Sequence, residues 1–297
     1  MTSLRPEDVR IDQIVESSCT CFGVDEFFPG LDPAAVAGDM SATGPEGETA
    51  HLEYAFRSHL VRDGQRTILV DGCVGNGKHR MRPAFDDLAT PWLDRLHATG
   101  VRPEDVDYVV ITHLHADHVG WATTLVDGRW VPTFPNARYL LHRDELEYWY
   151  SDVGAAALLR TGDYLADSVT PLLDHGLVDR FDSEFTLGDA VRIIPMIGHT
   201  PGHTCVEVTA GDERLFLAGD AFHHPIQIRR PELGTRYCVD PAQAAESRRR
   251  ILAYVSETGA LLAPAHFVGT GTGRVHAVGD GYRFTPVTTA PAAPGRV

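Results

Sequence analysis

Three histidines and an aspartate fall within one short stretch, THLHADHVG, Thr112 to Gly120. Imidazole suits zinc, iron and similar ions, and carboxylate adds negative charge. In an extended or tight-loop segment His113 and His115 project to the same side. Asp117 and His118 follow after a turn and can reach a second position. Four donors on so short a loop do not readily share one ion. Two adjacent ions, roughly 3.5–4 Å apart, are the more natural geometry. Two ions need more ligands, and the sequence offers three, each after an apolar run: His203 closes GHTPGH, Asp220 closes FLAGD and His266 closes LLAPAH.

These residues need strands whose ends meet. Val106–Thr112 is an apolar run that delivers the histidine loop at its C-terminal end. Upstream, HLEYAFRSHLVRDGQRTILVDG reads as two strands joined at Asp63-Gly64, ending in Asp71. Arg82–His97 has helical spacing, with Pro91 as a break. Residues 130–141 give strand, HRDELEYWY gives helix, and 151–180 is mainly helical. Val191–Met196 leads into IGHTPGH. Cys205–Thr209 and Arg214–Leu217 form a hairpin around Gly211-Asp212. A helix starts at Asp240 with Pro241 in its first turn, Gln243 completing a capping box and Gly259 at its exit. Ala260–Ala263 is a strand, and a last strand lies near Tyr282–Val287. Residues 15–48 are rich in turn formers and read as an irregular segment. The chain thus divides into an N-terminal arm, 1–49, and a core domain, 50–290, with a mainly helical segment at about 142–180. The tail TTAPAAPGRV is expected to be loose.

The chain has 297 residues, enough for a sizeable core, and its formal net charge of −15 disfavours nucleic acid and anionic membranes as partners. Arg248–Arg250, the one basic cluster, reads as a solvated helix face. No stretch has the length of a membrane span, and MTSLRPEDVRIDQI lacks the apolar core of a signal peptide. The five cysteines include no CxxC and no staple spacing, so the expectation is a reduced, cytoplasmic protein whose cysteines are small buried hydrophobes.

HLHADH followed by GHTPGH, GD and AH resembles the metallo-β-lactamase superfamily over roughly residues 50–287. The resemblance implies an α/β fold, an αβ/βα sandwich of two mixed sheets with outer helices and the metals at one sheet edge. It would make 50–290 a catalytic domain and the segment at about 142–180 its pocket wall. It implies that His113, His115 and His203 hold one ion, that Asp117, His118 and His266 hold the other, and that Asp220 bridges both. Asp71 would orient the site from outside the ligand shell, and His199 would stabilise its turn. Two divalent ions are implied, zinc by default, with iron or manganese as alternatives.

Such a site would attack with a hydroxide held between the ions. One ion would stabilise the developing oxyanion. Asp117 could shuttle a proton to the leaving oxygen. No GxSxG elbow competes for the role of nucleophile. Within the family the residues point to lactones. Many β-lactamases carry cysteine where Asp220 stands, and the nucleases and flavin-dependent members have parts absent here. The best-known acyl-homoserine lactonases carry a carbonyl-polarising tyrosine where this chain has His223. The AFHHP pattern is also similar to pyridoxolactonase-like and organophosphate-hydrolase-like members. His223 is therefore the third catalytic candidate, with Asp117 and Asp220. Trp121, Tyr148, Trp149, Tyr164, Phe222 and His224 are pocket candidates, together with Tyr150, Leu158 and Leu159, although ordinary helix packing accounts for aromatics there equally well. The expected activity is opening of a lactone or related cyclic ester. Alternatives are a thioesterase or arylesterase, for which Arg229, Arg230 and Arg236 could hold substrate carboxylates, an organophosphate hydrolase, or a binding module that keeps its metal without turnover. The expected partner is a small-molecule ester, and a homodimer is possible.

Overall fold

Apolar runs bounded by glycine, proline and aspartate set the strands. The computed structural model describes residues 9–32, 51–159 and 161–287. In chain order they form β1 (Arg10–Gly23), α1 (Val24–Phe27), β2 (His51–Arg62), β3 (Thr67–Val70), α2 (Trp92–Ala98), β4 (Tyr108–Val110) and α3 (Ala116–Val119). There follow β5 (Thr123–Val126), β6 (Arg129–Pro132), β7 (Arg138–His142), α4 (Arg143–Trp149), α5 (Asp152–Leu158), α6 (Leu165–Ser168), α7 (Thr170–Asp174) and β8 (Val178–Phe181). The remainder is β9 (Phe185–Leu187), β10 (Val191–Pro195), β11 (Thr204–Ala210), β12 (Glu213–Gly219), α8 (Ile226–Arg229), α9 (Pro241–Thr258), β13 (Leu261–Pro264), β14 (Gly273–Val278) and β15 (Gly281–Pro286). The described chain divides into two compact units, residues 9–17 with 56–183, and residues 18–32 with 51–55 and 184–287.

The first unit is built on a six-stranded sheet of order β1-β2-β3-β4-β7-β8, with β5 and β6 as a separate hairpin. β3, β4, β7 and β8 run parallel, and β2 pairs antiparallel with β3. Continuous apolar stretches such as Ile68–Val70 suit parallel strands covered on both faces. The carboxyl ends of β3 and β4 lead into Asp71 and Thr112–His113, where open α/β sheets place ligands. Gly120 locks the histidine loop against its neighbour: a Cβ there would stand 1.8 Å from Val74 O. No larger residue permits that approach.

The second unit holds a seven-stranded sheet of order β15-β14-β13-β12-β11-β10-β9. All neighbours are antiparallel except β12 and β13. α9 begins as the sequence predicts, with Asp240 Oδ1 accepting from Gln243 N at 2.9 Å, and ends on Gly259 at φ +71°. Its buried stripe includes Ile251, Leu252 and Val255, which join Ile194, Phe216 and Leu262 in one apolar core. Gly198, at φ +125°, brings the GHTPGH loop onto α9; a Cβ there would stand 2.2 Å from Ala244 N. In the antiparallel β11–β12 hairpin, Gly211 takes φ +61°.

Four expectations need correction. Residues 15–23 are not irregular but belong to β1, the edge strand of its sheet. Their Ser, Cys and Thr residues hide the alternation because an edge strand is only half covered. Cys19 and Cys21 are joined in a disulfide rather than reduced. Arg248 is not on a solvated face: it is fully buried, with Nε donating to Pro231 O at 2.6 Å and Nη1 to Ala221 O at 3.3 Å. The strand expected near Tyr282–Val287 is not alone after Ala263: β14 precedes it and forms a hairpin with it. The rest of the expected arm, 1–8 and 33–49, and the tail 288–297 lie outside the described residues. No described helix is long and apolar enough to cross a membrane.

Candidate metal centre

In the first unit one carboxylate organises the histidine loop. Asp71 is buried at positive φ, 62°. Its Oδ1 accepts from Thr112 N at 2.8 Å, and its Oδ2 from Thr112 Oγ1 and His118 Nδ1, each at 2.9 Å. A carboxylate only accepts, so His118 carries its hydrogen on Nδ1 and keeps its lone pair on Nε2. The Thr112 hydrogen is spent on Asp71, so its Oγ1 accepts from His113 Nδ1 at 3.1 Å. That leaves a lone pair on His113 Nε2, 2.9 Å from His115 Nδ1. Both rings are thereby set in the tautomer a metal requires. The rings of His113 and His118 lie 4.1 Å apart.

Glu145 on α4 was not singled out by sequence reasoning. It is 1% exposed, and its Oε1 accepts from Leu114 N at 2.9 Å and from Trp149 Nε1 at 2.7 Å. It therefore pins the backbone between His113 and His115 and fixes Trp149, whose ring lies 5.3 Å from that of His115. The available signal was the four-residue helical spacing of Glu145 and Trp149 in ELEYW. Glu16 works in the same way from β1. It accepts from Val74 N at 2.8 Å, Gly75 N at 3.1 Å and Trp121 Nε1 at 2.6 Å. Burial raises its pKa against the pull of these donors.

In the second unit imidazoles surround Asp220. Its Oδ2 lies 3.3 Å from His199 Nε2 and 3.2 Å from His223 Nε2, and its Oδ1 lies 2.9 Å from His266 Nε2. His266 Nδ1 donates to Ala55 O at 2.9 Å, so its Nε2 carries a lone pair. A lone pair and a carboxylate oxygen at 2.9 Å are two acceptors facing each other. Such a contact calls for a cation, a proton or a metal ion. His203 Nδ1 donates to Met196 O, and its Nε2 accepts from Asp220 N, both at 3.0 Å. His199 and His203 thus divide Asp220 between them, His199 at the carboxylate and His203 at the backbone. His113, His115, Asp117 and His118 in the first unit, and His199, Asp220 and His266 in the second, are candidate metal donors, and His203 is not among them. The donor chemistry of each unit fits a divalent metal.

His223 spends its Nε2 hydrogen on Asp220, while its Nδ1 is buried with no hydrogen-bond partner. Burial lowers its pKa, and Asp220 opposes the shift. Phe27 sets its ring edge against His223 at 5.4 Å, and Tyr54 stacks on His266 at 4.7 Å. Both aromatics lie on the N-terminal side of Phe56, where sequence reasoning placed nothing functional.

The pocket candidates separate. Trp149 and Tyr164 are buried, with ring centroids 6.1 Å apart, and Tyr148 is half-buried beside Trp149. Burial and the charges of Glu145 and Asp117 raise the Tyr164 phenol well above its usual range. Tyr150 and Leu159 are largely exposed, and Leu158 is buried. Trp121 is not a pocket residue: it stacks on Trp92 at 5.1 Å and donates to Glu16. Phe222 belongs to the second unit's apolar core. His224 turns its Nδ1 to Ile226 N at 3.2 Å, and burial lowers its pKa to about 4. Of the three arginines considered for substrate carboxylates, Arg230 pairs with Glu232 and Arg236 with Glu26. Arg229 lines a separate groove of about 380 Å³ with Phe267, Arg283 and Phe284.

A histidine-rich loop after a parallel strand, with histidines and an aspartate at further strand ends, defines a class of metal-binding α/β proteins. The model of the metallo-beta-lactamase superfamily matches residues 57–266, and the chain belongs to that superfamily. A probable metallo-hydrolase of Mycobacterium tuberculosis is 30% identical over 172 residues, 54% of this chain and 51% of that protein. An N-acyl homoserine lactonase of Agrobacterium fabrum is 33% identical over 131 residues, 43% of this chain and 46% of that protein. The chain thus matches about half the length of these curated relatives. The crystal structure of AbOPH, a hydrolase in the β-lactamase superfamily, covers 94% of both chains with a TM-score of 0.78 and 26% identity. The dizinc quorum-quenching lactonase AidC shares the fold, with a TM-score of 0.76 and 21% identity over 97% of both chains.

Proposed function

We propose that the protein is a metal-dependent hydrolase that opens a lactone or related cyclic ester. The observation that carries this reading is the contact of His266 Nε2 with Asp220 Oδ1 at 2.9 Å, two acceptors in need of a cation. Support for the substrate class comes from the lactonases among its relatives. His113, His115, Asp117 and His118 of the first unit, and His199, Asp220 and His266 of the second, would supply the ligands, whereas the lone pair of His203 Nε2 is taken by Asp220 N. Zinc is the first choice for this donor set. When bound, the ions would acidify water and polarise the ester carbonyl.

The chain's own residues do the rest. Asp71 holds the tautomer of His118 and, through Thr112, that of His113. Ala55 O and Met196 O do the same for His266 and His203. Asp117 carries a proton toward the leaving alkoxide. His223 holds Asp220 through Nε2 and keeps Nδ1 as an acceptor, a role distinct from carbonyl polarisation by a donor.

The test is zinc-loaded protein assayed by proton release against acyl-homoserine lactones, simple γ- and δ-lactones, an aryl ester, S-lactoylglutathione and an aryl phosphotriester, with Asp220→Ala beside it. Preferential lactone turnover lost in the variant supports the reading. Turnover of the thioester or phosphotriester instead overturns the substrate class, and stoichiometric metal with no turnover of any ester overturns the enzyme.

A further inference from the structure

His199 is a candidate metal donor, and its Nε2 stands 3.3 Å from Asp220 Oδ2. To hold an ion there, Nε2 must present a lone pair, so the ring hydrogen belongs on Nδ1. The partner at Nδ1 is Cys238 Sγ, at 3.6 Å. His113, His118 and His266 meet an oxygen at the same atom: Thr112 Oγ1, Asp71 Oδ2 and Ala55 O. His199 meets sulfur instead.

The chain around Cys238 fixes that sulfur. Val239 N donates to His199 O at 2.8 Å and Asp240 N to Gly198 O at 2.9 Å, so the residues after Cys238 lie in register with the GHTPGH loop. Cys238 N donates to Thr235 O at 3.1 Å, and Thr235 Oγ1 lies 3.5 Å from Sγ. A thiol can give its own hydrogen to Thr235 Oγ1 and still accept through its lone pairs. The fully buried Arg248 guanidinium, which only donates, acts electrostatically on the same sulfur. Sulfur that faces a guanidinium and an imidazole N–H is placed as an acceptor. The bonds that hold the segment in register are backbone bonds, so substitution at 238 tests the sulfur by itself.

We propose that Cys238 is a positioning residue of the metal centre: its sulfur accepts the Nδ1 hydrogen of His199 and so holds Nε2 in the form that binds an ion. Cys238 does for His199 what Asp71 does for His118, with a weaker acceptor. It is then more than the small buried hydrophobe that its residue type suggests. This inference rests on the metal-dependent reading above and holds for any substrate class.

Metal-free wild type, Cys238→Ala and Cys238→Ser would be compared by zinc titration against a chromogenic chelator and by thermal denaturation. Serine keeps an acceptor at the position, and alanine does not. Expected are a loss of zinc affinity of roughly tenfold in Cys238→Ala, recovery to within about threefold of wild type in Cys238→Ser, and the same metal-free Tm in both variants. A sulfur that only packs would lower the Tm without separating the two variants in zinc affinity, and that result would overturn the inference. So would a zinc affinity within about twofold of wild type in Cys238→Ala. Wild type that takes up no stoichiometric zinc would instead bring down the metal-dependent reading, and this inference with it.

Discussion

The two units hold their candidate metal donors in opposite ways. In the first, four donor residues sit on one loop, and a single buried carboxylate, Asp71, sets two of the rings through three hydrogen bonds. In the second, the donors come from separate segments, and two rings are set by backbone carbonyls, His203 by Met196 O and His266 by Ala55 O, while His199 Nδ1 faces Cys238 Sγ at 3.6 Å. The loop concentrates its geometry in one residue, whereas the second unit holds two of its rings by backbone atoms that side-chain substitutions do not remove. Each unit should therefore fail in its own manner.

The sharpest test of the second unit is Asp220→Ala, because His199, His223 and His266 all converge on that carboxylate. Turnover should fall by about three orders of magnitude, with metal content reduced in elemental analysis. Residual turnover within tenfold of wild type would break the assignment. A paired experiment sharpens it. His199→Ala should lose metal, whereas His203→Ala, which removes a ring bonded to Asp220 N and Met196 O, should keep its metal stoichiometry and lose activity more mildly. The reverse ranking would assign the ligand to His203.

In the first unit Asp71→Asn keeps the size of the side chain but offers one oxygen where two accept three bonds. Metal affinity should drop roughly tenfold to a hundredfold, as for other outer partners of ligating histidines. Competition with a chromogenic chelator measures this directly. An affinity within twofold of wild type would mean that the loop is set by something other than Asp71. Glu145→Gln should act more gently. The amide oxygen can still accept from Leu114 N, while the bond to Trp149 weakens. A few-fold loss of kcat/KM is expected, together with altered tryptophan fluorescence, and Glu145→Ala should be worse than Glu145→Gln.

What the sequence made legible follows the same division. The Thr112–Gly120 loop could be read because its donors are consecutive and a strand precedes them. Asp220 and His266 could be read because each follows an apolar strand, whereas in GHTPGH the two histidines could not be told apart by spacing: His199 stands at the Asp220 carboxylate and His203 at its backbone N. The fold was legible where turn chemistry was local, as at Asp240–Gly259. Sequence did not reveal the partners that act at a distance. Glu16 and Glu145 look like ordinary surface glutamates until the fold buries them on backbone N–H groups. Phe27 and Tyr54 reach His223 and His266 from a stretch with no motif of its own. Trp121 and Phe222 neighbour ligand residues in sequence, yet the chain turns them into the core.

The smallest expected effect concerns the scaffold of the first unit. Lys78 is fully buried between Asp167 and the face of Trp130, with Nζ 3.7 Å from the ring centroid. Burial lowers its pKa from 10.5 to about 8 even though Asp167 opposes the shift. Between these values the unfolded chain binds the proton that the folded chain has released, so stability rises with pH across the window. The gain should not exceed about 3 kcal/mol by pH 10.5, a ceiling that already includes the opposing pull of Asp167. Arg80 keeps its two bonds to Asp167 throughout, so the carboxylate is not left unpaired when Lys78 loses its proton. Urea melts from pH 7.5 to 10.5 on wild type and Lys78→Met check the sign. Wild type should gain relative to the variant as pH rises. A parallel course would show that Lys78 titrates alike in the folded and unfolded chains, and that Asp167 and Trp130 fully offset its burial.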